Sequence, residues 1–181
     1  MKATGIVRRI DELGRVVIPK EIRRTLRIRE GDPLEIFTDR EGEIILKKYS
    51  PIGELGTFAK EYAETLTQTS GCTVCIVDRD QIIAVAGGSK KEFLDRRVSD
   101  ALEKSINARN IFTATINEPG FISVLENDDD PSYSHMVVVP IVAEGDVIGA
   151  VMLLSADTKM TDTEVKLATC AAGFLGKQME V

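Results

Sequence analysis

The sequence "LGRVVIPKEIRRTLRI", residues 13–28, is a strongly basic stretch in a chain of 181 residues whose formal net charge is −6. Its cations are Arg15, Lys20, Arg23, Arg24 and Arg27, and Arg29 follows directly. The one acid in the stretch is Glu21. Surface helices held by salt bridges usually alternate the sign of their charges, so this run indicates a surface that faces a polyanion.

Charge divides the chain into two parts. Residues 1–50 hold 12 Lys and Arg against 9 Asp and Glu, a net charge of +3, whereas residues 51–181 hold 11 against 20, a net charge of −9. The length and a hydrophobic content of 43% allow one domain or two small ones. The charge asymmetry favours two modules, of which the first is basic.

The residues around the basic stretch predict two strands and a short helix. The β-branched runs over residues 4–10 and 15–18 are separated by "DELG", where Gly14 can adopt a positive φ. Pro19 then suits the first turn of a helix over residues 20–27, because its missing N–H would be unpaired there. The helix places its apolar residues on one face and leaves its arginines pointing elsewhere.

A hairpin completes the first module. The runs "PLEIFT" and "EIILKK" are joined by "DREG", and Gly42 lies in the predicted turn. Four strands and one helical turn provide very little core. Since a domain of about fifty residues buries only some 60% of its unfolded surface, we expect an obligate dimer in which a second copy completes the core.

The boundary between the modules is predicted within "YSPIGELG", residues 49–56. Pro51, Gly53 and Gly56 make a continuous strand or helix unfavourable there. The predicted organisation is a first domain over residues 1–50, a linker over 51–56 and a second domain over 57–181.

Hydrophobic periodicity predicts an α+β second domain, with helices at both ends of a set of strands. The predicted strands are residues 72–79, 81–87, 111–116 and 121–126 and a long hairpin over 135–156. The predicted helices begin near residues 55, 99 and 161. Thr161 and Glu164 form a capping box that opens the last helix.

The last helix has a regular apolar spacing with two interpretations. Its apolar positions recur at steps of three and four: Val165, Ala168, Ala172, Leu175 and Met179. This spacing is typical of an amphipathic helix that covers its own sheet. It is also typical of a short seam between helices of two subunits.

No catalytic or metal site is predicted. Cys72 and Cys75 form a C-x-x-C pair, but no second pair or nearby histidine completes four ligands, and on a strand the two thiols point to opposite faces. His135 has no nucleophile indicated by spacing. "GGSKK", residues 87–91, lacks the spacing of a phosphate-binding loop, and the acids at 128–130 lack that of a calcium loop. We therefore expect no enzyme.

Cysteine content and targeting signals bear on the compartment. Three cysteines do not make a disulfide framework, and no apolar run reaches the roughly 18 residues that cross a bilayer. The first ten residues lack the apolar segment of a signal peptide. A cytoplasmic protein with no membrane contact is expected, associated with the nucleoid if it binds DNA.

The first module resembles a known family almost from end to end. Residues 4–49, with the long ordered run "GRVVIPKEIRRTL", are similar to the swapped-hairpin DNA-binding domain of the AbrB family of transition-state regulators. The resemblance implies an intertwined dimer, in which hairpins from two chains complete one barrel. It places the family's DNA-facing arginines on Arg8, Arg15, Arg23 and Arg24. The candidate DNA-binding residues are thus Lys2, Arg8, Arg9, Arg15, Lys20, Arg23 and Arg24.

The second module resembles a GAF domain, chiefly through "PIVAEGDVIGAVMLLS" before a final helix. The full arrangement is similar to a family of sporulation regulators, which implies a transcriptional activator and repressor. No cofactor is implied, although the GAF-like domain could bind a small molecule or assemble dimers into tetramers. The alternative is an antitoxin-like interaction protein, because the same N-terminal fold serves in toxin–antitoxin pairs.

The basic module also limits how DNA could be read. Residues 1–50 contain no Asn and no Gln, which are the side chains that pair with adenine through two hydrogen bonds. Base readout would therefore depend on arginine, which can contact guanine. We expect a weak consensus, with groove shape and phosphate contacts dominating.

Overall fold

The structure, a computed structural model, describes residues 5–50, 52, 56–128 and 130–180. The chain forms two compact units, residues 1–49 and 50–181. The predicted linker lies mostly outside the described residues, so its bounds remain a prediction. Within the described ranges, every helix is too short or too polar to span a bilayer.

The first unit contains one short helix and one hairpin. Helix α1 spans Lys20–Thr25 and follows Pro19, whose φ is −57°. Strands β1 (Leu34–Thr38) and β2 (Ile44–Lys48) pair antiparallel. Gly42, in the turn between them, has a φ of 83°. The predicted helix and hairpin are therefore confirmed.

The two strands predicted before the helix are absent. Residues 5–19 contain no strand, although the turn between the two runs forms. Gly14 has a φ of 75°, and its N–H donates to the carbonyl of Asp11 at 2.9 Å. A strand needs a neighbour to pair its backbone groups, and a single chain offers none to these runs. The strand prediction is wrong for the isolated chain.

The apolar side chains of the first unit lack cover. Apart from Pro19, no residue described between positions 5 and 49 is buried. Val7, Leu13, Val17 and Ile36 are 89%, 74%, 70% and 67% exposed. Exposure of so many aliphatic groups is unfavourable in water, and residues 5–49 form no core of their own.

The second unit is built on a five-stranded antiparallel sheet of order β4-β3-β7-β6-β5. The strands are β3 (Thr73–Asp78), β4 (Gln81–Ala86), β5 (Phe112–Thr115), β6 (His135–Ala143) and β7 (Asp146–Ser155). The long strands β6 and β7 form a hairpin at the centre, with a register shift between Ile141 and Val142. The predicted hairpin over residues 135–156 is confirmed.

Helices cover both faces of this sheet, so the unit has two hydrophobic cores. The helices are α2 (Gly56–Ser70), α3 (Lys90–Phe93), α4 (Asp100–Asn107) and α5 (Asp162–Gln178). One core lies between the sheet and the helices α2 and α5. The other lies between the opposite face and the helices α3 and α4 with their adjoining loops. This α+β arrangement agrees with the predicted class.

The terminal helix α5 covers its own sheet. Ala168, Ala172 and Leu175 are buried in the core that they share with β6. Gly176 lies so close to the carbonyl of Val142 that a side chain there would clash. These contacts support the first of the two interpretations of the helical spacing.

One predicted strand of the second unit is absent. Residues 121–126 form a loop, with a single bridge between Val98 and Leu125. In place of sheet pairing, the N–H of Val124 donates to the buried Tyr133 hydroxyl at 2.7 Å. The apolar pattern that suggested a strand arises because the loop covers one core, with Val124 and Leu125 buried.

Candidate nucleic-acid interface

The predicted DNA-binding cations lie on consecutive segments of the first unit. Arg8 and Arg9 lie in the extended run before the "DELG" turn, and Arg15 follows the turn directly. The remaining described members, on α1, are Lys20, Arg23 and Arg24. Lys2 lies outside the described residues. All the described members except Arg23 are exposed.

Arg15 is held by an acid in the preceding turn. Its Nε donates to Oδ2 of Asp11 at 2.8 Å, and its backbone N–H donates to Oδ1 of the same carboxylate at 2.8 Å. These two hydrogen bonds, the backbone one first, hold the pKa of Asp11 below its usual range. Asp11 is therefore ionised at neutral pH, and the Arg15 side chain remains 70% exposed.

Arg23 is the least exposed of the described candidates. Its Nη1 lies 3.5 Å from Oε1 of Glu30, and its side chain is 34% exposed. Its Nε is buried and has no acceptor among the described residues. A buried donor without an acceptor is costly, so this atom needs a partner that one described chain does not supply.

The other cations have no opposing acids. Arg8, Arg9, Lys20 and Arg24 form no ion pair with a described acid. Cations of this kind attract phosphate groups, because no direct ion pair neutralises their charge. Each guanidinium also presents a planar fork of donors that matches two phosphate oxygens, or O6 and N7 of guanine.

The structure separates the two cysteines of the C-x-x-C pair. Cys72 packs in the core beneath α2 and α5, whereas Cys75 packs in the opposite core. Burial raises the pKa of both thiols, that of Cys75 to about 12. Neutral, diverging thiols cannot act as a redox pair or bind one metal ion. Among the described residues, no group of three or more His, Cys, Asp or Glu side chains could hold a metal ion.

The remaining polar candidates have structural roles. His135 begins β6, and its Nδ1 lies 3.2 Å from the hydroxyl of Thr115 on β5. Gly87, in the "GGSKK" segment, follows β4 with a φ of 75° and packs against Thr67 and Cys72. These arrangements explain the residues by strand pairing and turn geometry. Of the acid run at 128–130, the middle residue lies outside the described ranges.

Sequence reasoning missed an open groove in the second unit. It has a volume of about 510 Å3 and lies between the start of α4 and the loop over residues 121–127. Ser99 caps α4, accepting from the N–H of Leu102 at 3.2 Å, and donates to the carbonyl of Ser123 at 2.7 Å. The capping serine was visible in the sequence, but its contact with the distant loop was not.

Two family models match the chain. The C-terminal domain family of stage V sporulation protein T, described as a transcription factor, matches residues 54–180. The family described as antidote-toxin recognition MazE, bacterial antitoxin, matches residues 7–54. The two matches cover the second and first units respectively.

Relatives of known name match one or both units. Stage V sporulation protein T of Bacillus subtilis is 59% identical over 181 residues, which is 99% of both chains. The transition state regulatory protein AbrB of the same organism is 71% identical over 51 residues, covering 28% of this chain and 52% of that protein. The first unit is thus an AbrB-like domain.

The second unit has the fold of a GAF domain. The cofactor-binding GAF domain of the nutrient sensor CodY from Clostridium difficile superposes with a TM-score of 0.51 at 16% identity, covering 66% of this chain and 83% of that one. At this identity the likeness shows the fold alone. Taken with the relative that matches from end to end, these findings show that the chain belongs to the stage V sporulation protein T family of transcription factors.

Proposed function

We propose that this protein activates some sporulation genes and represses others by binding double-stranded DNA through its first unit. The observation that carries the proposal is the set of cations on the first unit, of which Arg8, Arg9, Lys20 and Arg24 are exposed and form no ion pair with a described acid. The contact residues are Lys2, Arg8, Arg9, Arg15, Lys20, Arg23 and Arg24. The membership of the chain in a transcription factor family supports the role. The role is regulatory, and its setting is the cytoplasm, at the nucleoid.

The DNA-binding form is a homodimer through the first unit. Two observations support this step: the runs over residues 5–19 have no strand neighbour, and aliphatic side chains such as Val17 and Ile36 are exposed. A second copy would pair the runs and bury these side chains. It would also double the number of cations on one face, which strengthens electrostatic attraction to the duplex.

Phosphate contacts supply most of the affinity, and arginines supply the limited base readout. The first unit contains no Asn or Gln to read adenine. Specificity therefore draws on groove width and the ease of bending DNA. Sites selected from random DNA should share a weak consensus. Convergence on one long, strict sequence with essential A·T positions would contradict this readout.

The salt dependence of DNA affinity tests the proposal. If the dimer neutralises about eight phosphates, the logarithm of the affinity falls with the logarithm of the salt concentration at a slope of about −7. Replacing Arg23 and Arg24 by Ala removes about four contacts per dimer and should reduce the slope to about −4. Fluorescence anisotropy of a labelled duplex measures both slopes.

Two exposed lysines of the second unit provide the matched control. Lys159 and Lys166 are exposed, and their replacement by Ala removes the same charge as the arginine pair. The control variant should keep the slope of the unaltered protein. A slope near zero for the unaltered protein, or equal losses in both variants, would contradict a DNA interface on the first unit.

The second unit regulates or assembles the DNA-binding dimers. Regulation by a bound small molecule is supported by the open groove beside α4. Assembly of dimers into tetramers is supported by an aromatic cluster on α2 and α5. In that cluster Phe174 lies 5.7 Å from Phe58 and 5.5 Å from Tyr62 between ring centroids, and it is 39% exposed. Thermal shift against a metabolite panel tests the first, and sedimentation of Phe174→Ser tests the second.

An antitoxin-like function is the second candidate, favoured by the match of residues 7–54 to an antitoxin family. Against it, residues 56–128 and 130–180 form a folded sheet with two cores. Toxin-wrapping tails are usually disordered and readily cleaved. Limited proteolysis should leave the second unit as a resistant fragment, and its rapid digestion would favour the antitoxin function.

A further inference from the structure

Two turns in the first unit share the same hydrogen bonds. In "DELGR", residues 11–15, Oδ1 of Asp11 accepts from the N–H of Leu13 at 3.0 Å and of Arg15 at 2.8 Å. In "DREGE", residues 39–43, Oδ1 of Asp39 accepts from the third and fifth residues at 3.0 Å and 2.8 Å. Each turn therefore depends on one oxygen of its leading aspartate.

The two turns differ in the hydrogen-bond partner of the second carboxylate oxygen, Oδ2. In the first turn the fifth residue is Arg15, and its Nε donates to Oδ2 of Asp11 at 2.8 Å. In the second turn the fifth residue is Glu43, an acid that cannot donate to Asp39. Oδ1 thus builds the turn in both places, while Oδ2 holds a cation only in the first.

This contact favours one orientation of Arg15. A guanidinium is planar, so a bond at Nε also directs the edge that carries Nη1 and Nη2. The side chain nevertheless remains 70% exposed, against 40% for that of Asp11. The side chain is therefore accessible, and one orientation of its terminal edge is favoured before any contact with DNA.

We propose that Asp11 is a positioning residue, which holds Arg15 by Nε so that its terminal edge meets DNA in one orientation. The proposal rests on the proposed function, in which Arg15 is a DNA contact. An ionised acid beside DNA lowers affinity for every duplex alike. Orientation of a two-donor edge, in contrast, affects the contacts that distinguish one sequence from another. Asp11 therefore increases discrimination between DNA sequences at some cost in overall affinity.

The substitution Asp11→Asn distinguishes the roles of the two carboxylate oxygens, because it keeps Oδ1 and replaces Oδ2. Asn keeps Oδ1 and so keeps the turn, but its Nδ2 is a donor and cannot accept from Arg15. Asp39→Asn is the matched control, since it removes the same charge from the same kind of turn without affecting an arginine. Melting temperatures of both variants that equal that of the unaltered protein show that neither substitution disrupts its turn.

The measurement is the ratio of affinities for two duplexes. One duplex is selected from random DNA by the unaltered protein, and the other is a scrambled sequence of the same length and composition. We expect Asp11→Asn to lower this ratio about five- to tenfold, with unchanged or tighter binding of the scrambled duplex. Asp39→Asn should leave the ratio within about twofold.

An Asp11→Asn protein that binds both duplexes more tightly by the same factor would overturn the proposal, because Asp11 would then act only by repulsion. The NMR signal of the Arg15 Nε–H gives a readout without DNA. It should shift and broaden in Asp11→Asn and stay unchanged in Asp39→Asn, and an unchanged signal in both would also overturn the proposal. Arg15→Ala tests the proposed function separately, since Arg15 is no DNA contact if its loss leaves affinity unchanged.

Discussion

The two units of this protein differ in how far their apolar side chains are buried. The second unit buries them in two cores on either side of one sheet, whereas the first unit leaves them exposed around one short helix and a hairpin. A single chain therefore supplies the cores of the second unit. It supplies no such core to the described residues of the first unit, which are also the ones that carry the candidate DNA-binding cations.

The largest effect is expected from replacing one exposed isoleucine in each unit by aspartate. Ile36 in the first unit is 67% exposed and Ile111 in the second is 54% exposed. If a second copy covers Ile36, then Ile36→Asp buries an unpaired charge and weakens the dimer by about 3 kcal/mol or more, over a hundredfold. Ile111→Asp should change stability by less than about 0.5 kcal/mol.

Sedimentation and DNA binding measure this difference. The Ile36→Asp protein should lose both its dimer mass and its DNA affinity, while the second unit keeps its melting temperature. If both variants keep or lose dimer mass and DNA affinity to the same extent, the proposed difference between the two units is wrong.

The next effect concerns the core of the second unit. Leu153, on β7, is completely buried, whereas Leu13 in the first unit is 74% exposed. Leu153→Ala should lower the free energy of unfolding by about 2–5 kcal/mol, because it removes buried methyl groups and leaves a cavity. Leu13→Ala should cost less than about 0.5 kcal/mol, because the side chain lies in an exposed turn. Urea denaturation of both variants gives the comparison, and a cost at Leu13 as large as that at Leu153 would contradict it.

Two glycines on α5 test how closely this helix packs against the sheet. A methyl group at Gly176 would clash with the carbonyl of Val142, whereas one at Gly173 would have no described atom within 4 Å apart from its chain neighbours and the backbone of its own helix. Gly176→Ala should destabilise the unit by about 1–3 kcal/mol. Gly173→Ala should stabilise it by about 0.5–1 kcal/mol, since alanine favours helix. Equal melting temperatures of the two variants would contradict the close approach of α5 to the sheet.

The smallest effect is a pH dependence at the start of α5. The hydroxyl of Thr161, which donates to Glu164 at 2.6 Å, holds the pKa of that carboxyl below its ordinary value of 4.5. The ionised Glu164 carboxylate therefore stabilises the folded state fully at pH values above 4.5. This stabilisation is lost as pH falls through the lowered pKa, where the carboxylate becomes protonated. Between pH 6 and pH 3 the unaltered protein should lose about 0.3–1 kcal/mol more stability than Glu164→Gln. Identical pH profiles would exclude the capping role.

Local patterns predicted the elements that depend on near neighbours. The capping box of Thr161 and Glu164 and the hairpin of β6 and β7 both form as predicted, because their contacts lie within a few residues or across one turn. The prediction failed for residues 121–126, where a distant hydroxyl on Tyr133 replaces sheet pairing. It failed for residues 5–19, which have no strand neighbour among the described residues of the single chain.

The candidate interface was partly predictable from the same kind of pattern. The cations form a run in the sequence, so they could be found without knowledge of the fold. The contact between Asp11 and Arg15 was overlooked, although an aspartate that leads a glycine turn is a local signal for it. The groove between α4 and residues 121–127 joins segments far apart in sequence, and no local pattern indicates it.

Hydrogen exchange of the full chain, with and without DNA, tests most directly whether the first unit is completed by a second copy. Without DNA, the amides of residues 6–10 and 15–18 should be protected at least about a thousandfold, as in stable paired strands. DNA should add protection around α1 and the "DELG" turn. Free exchange of these amides in a protein that still binds DNA, or DNA protection confined to the second unit, would contradict the account.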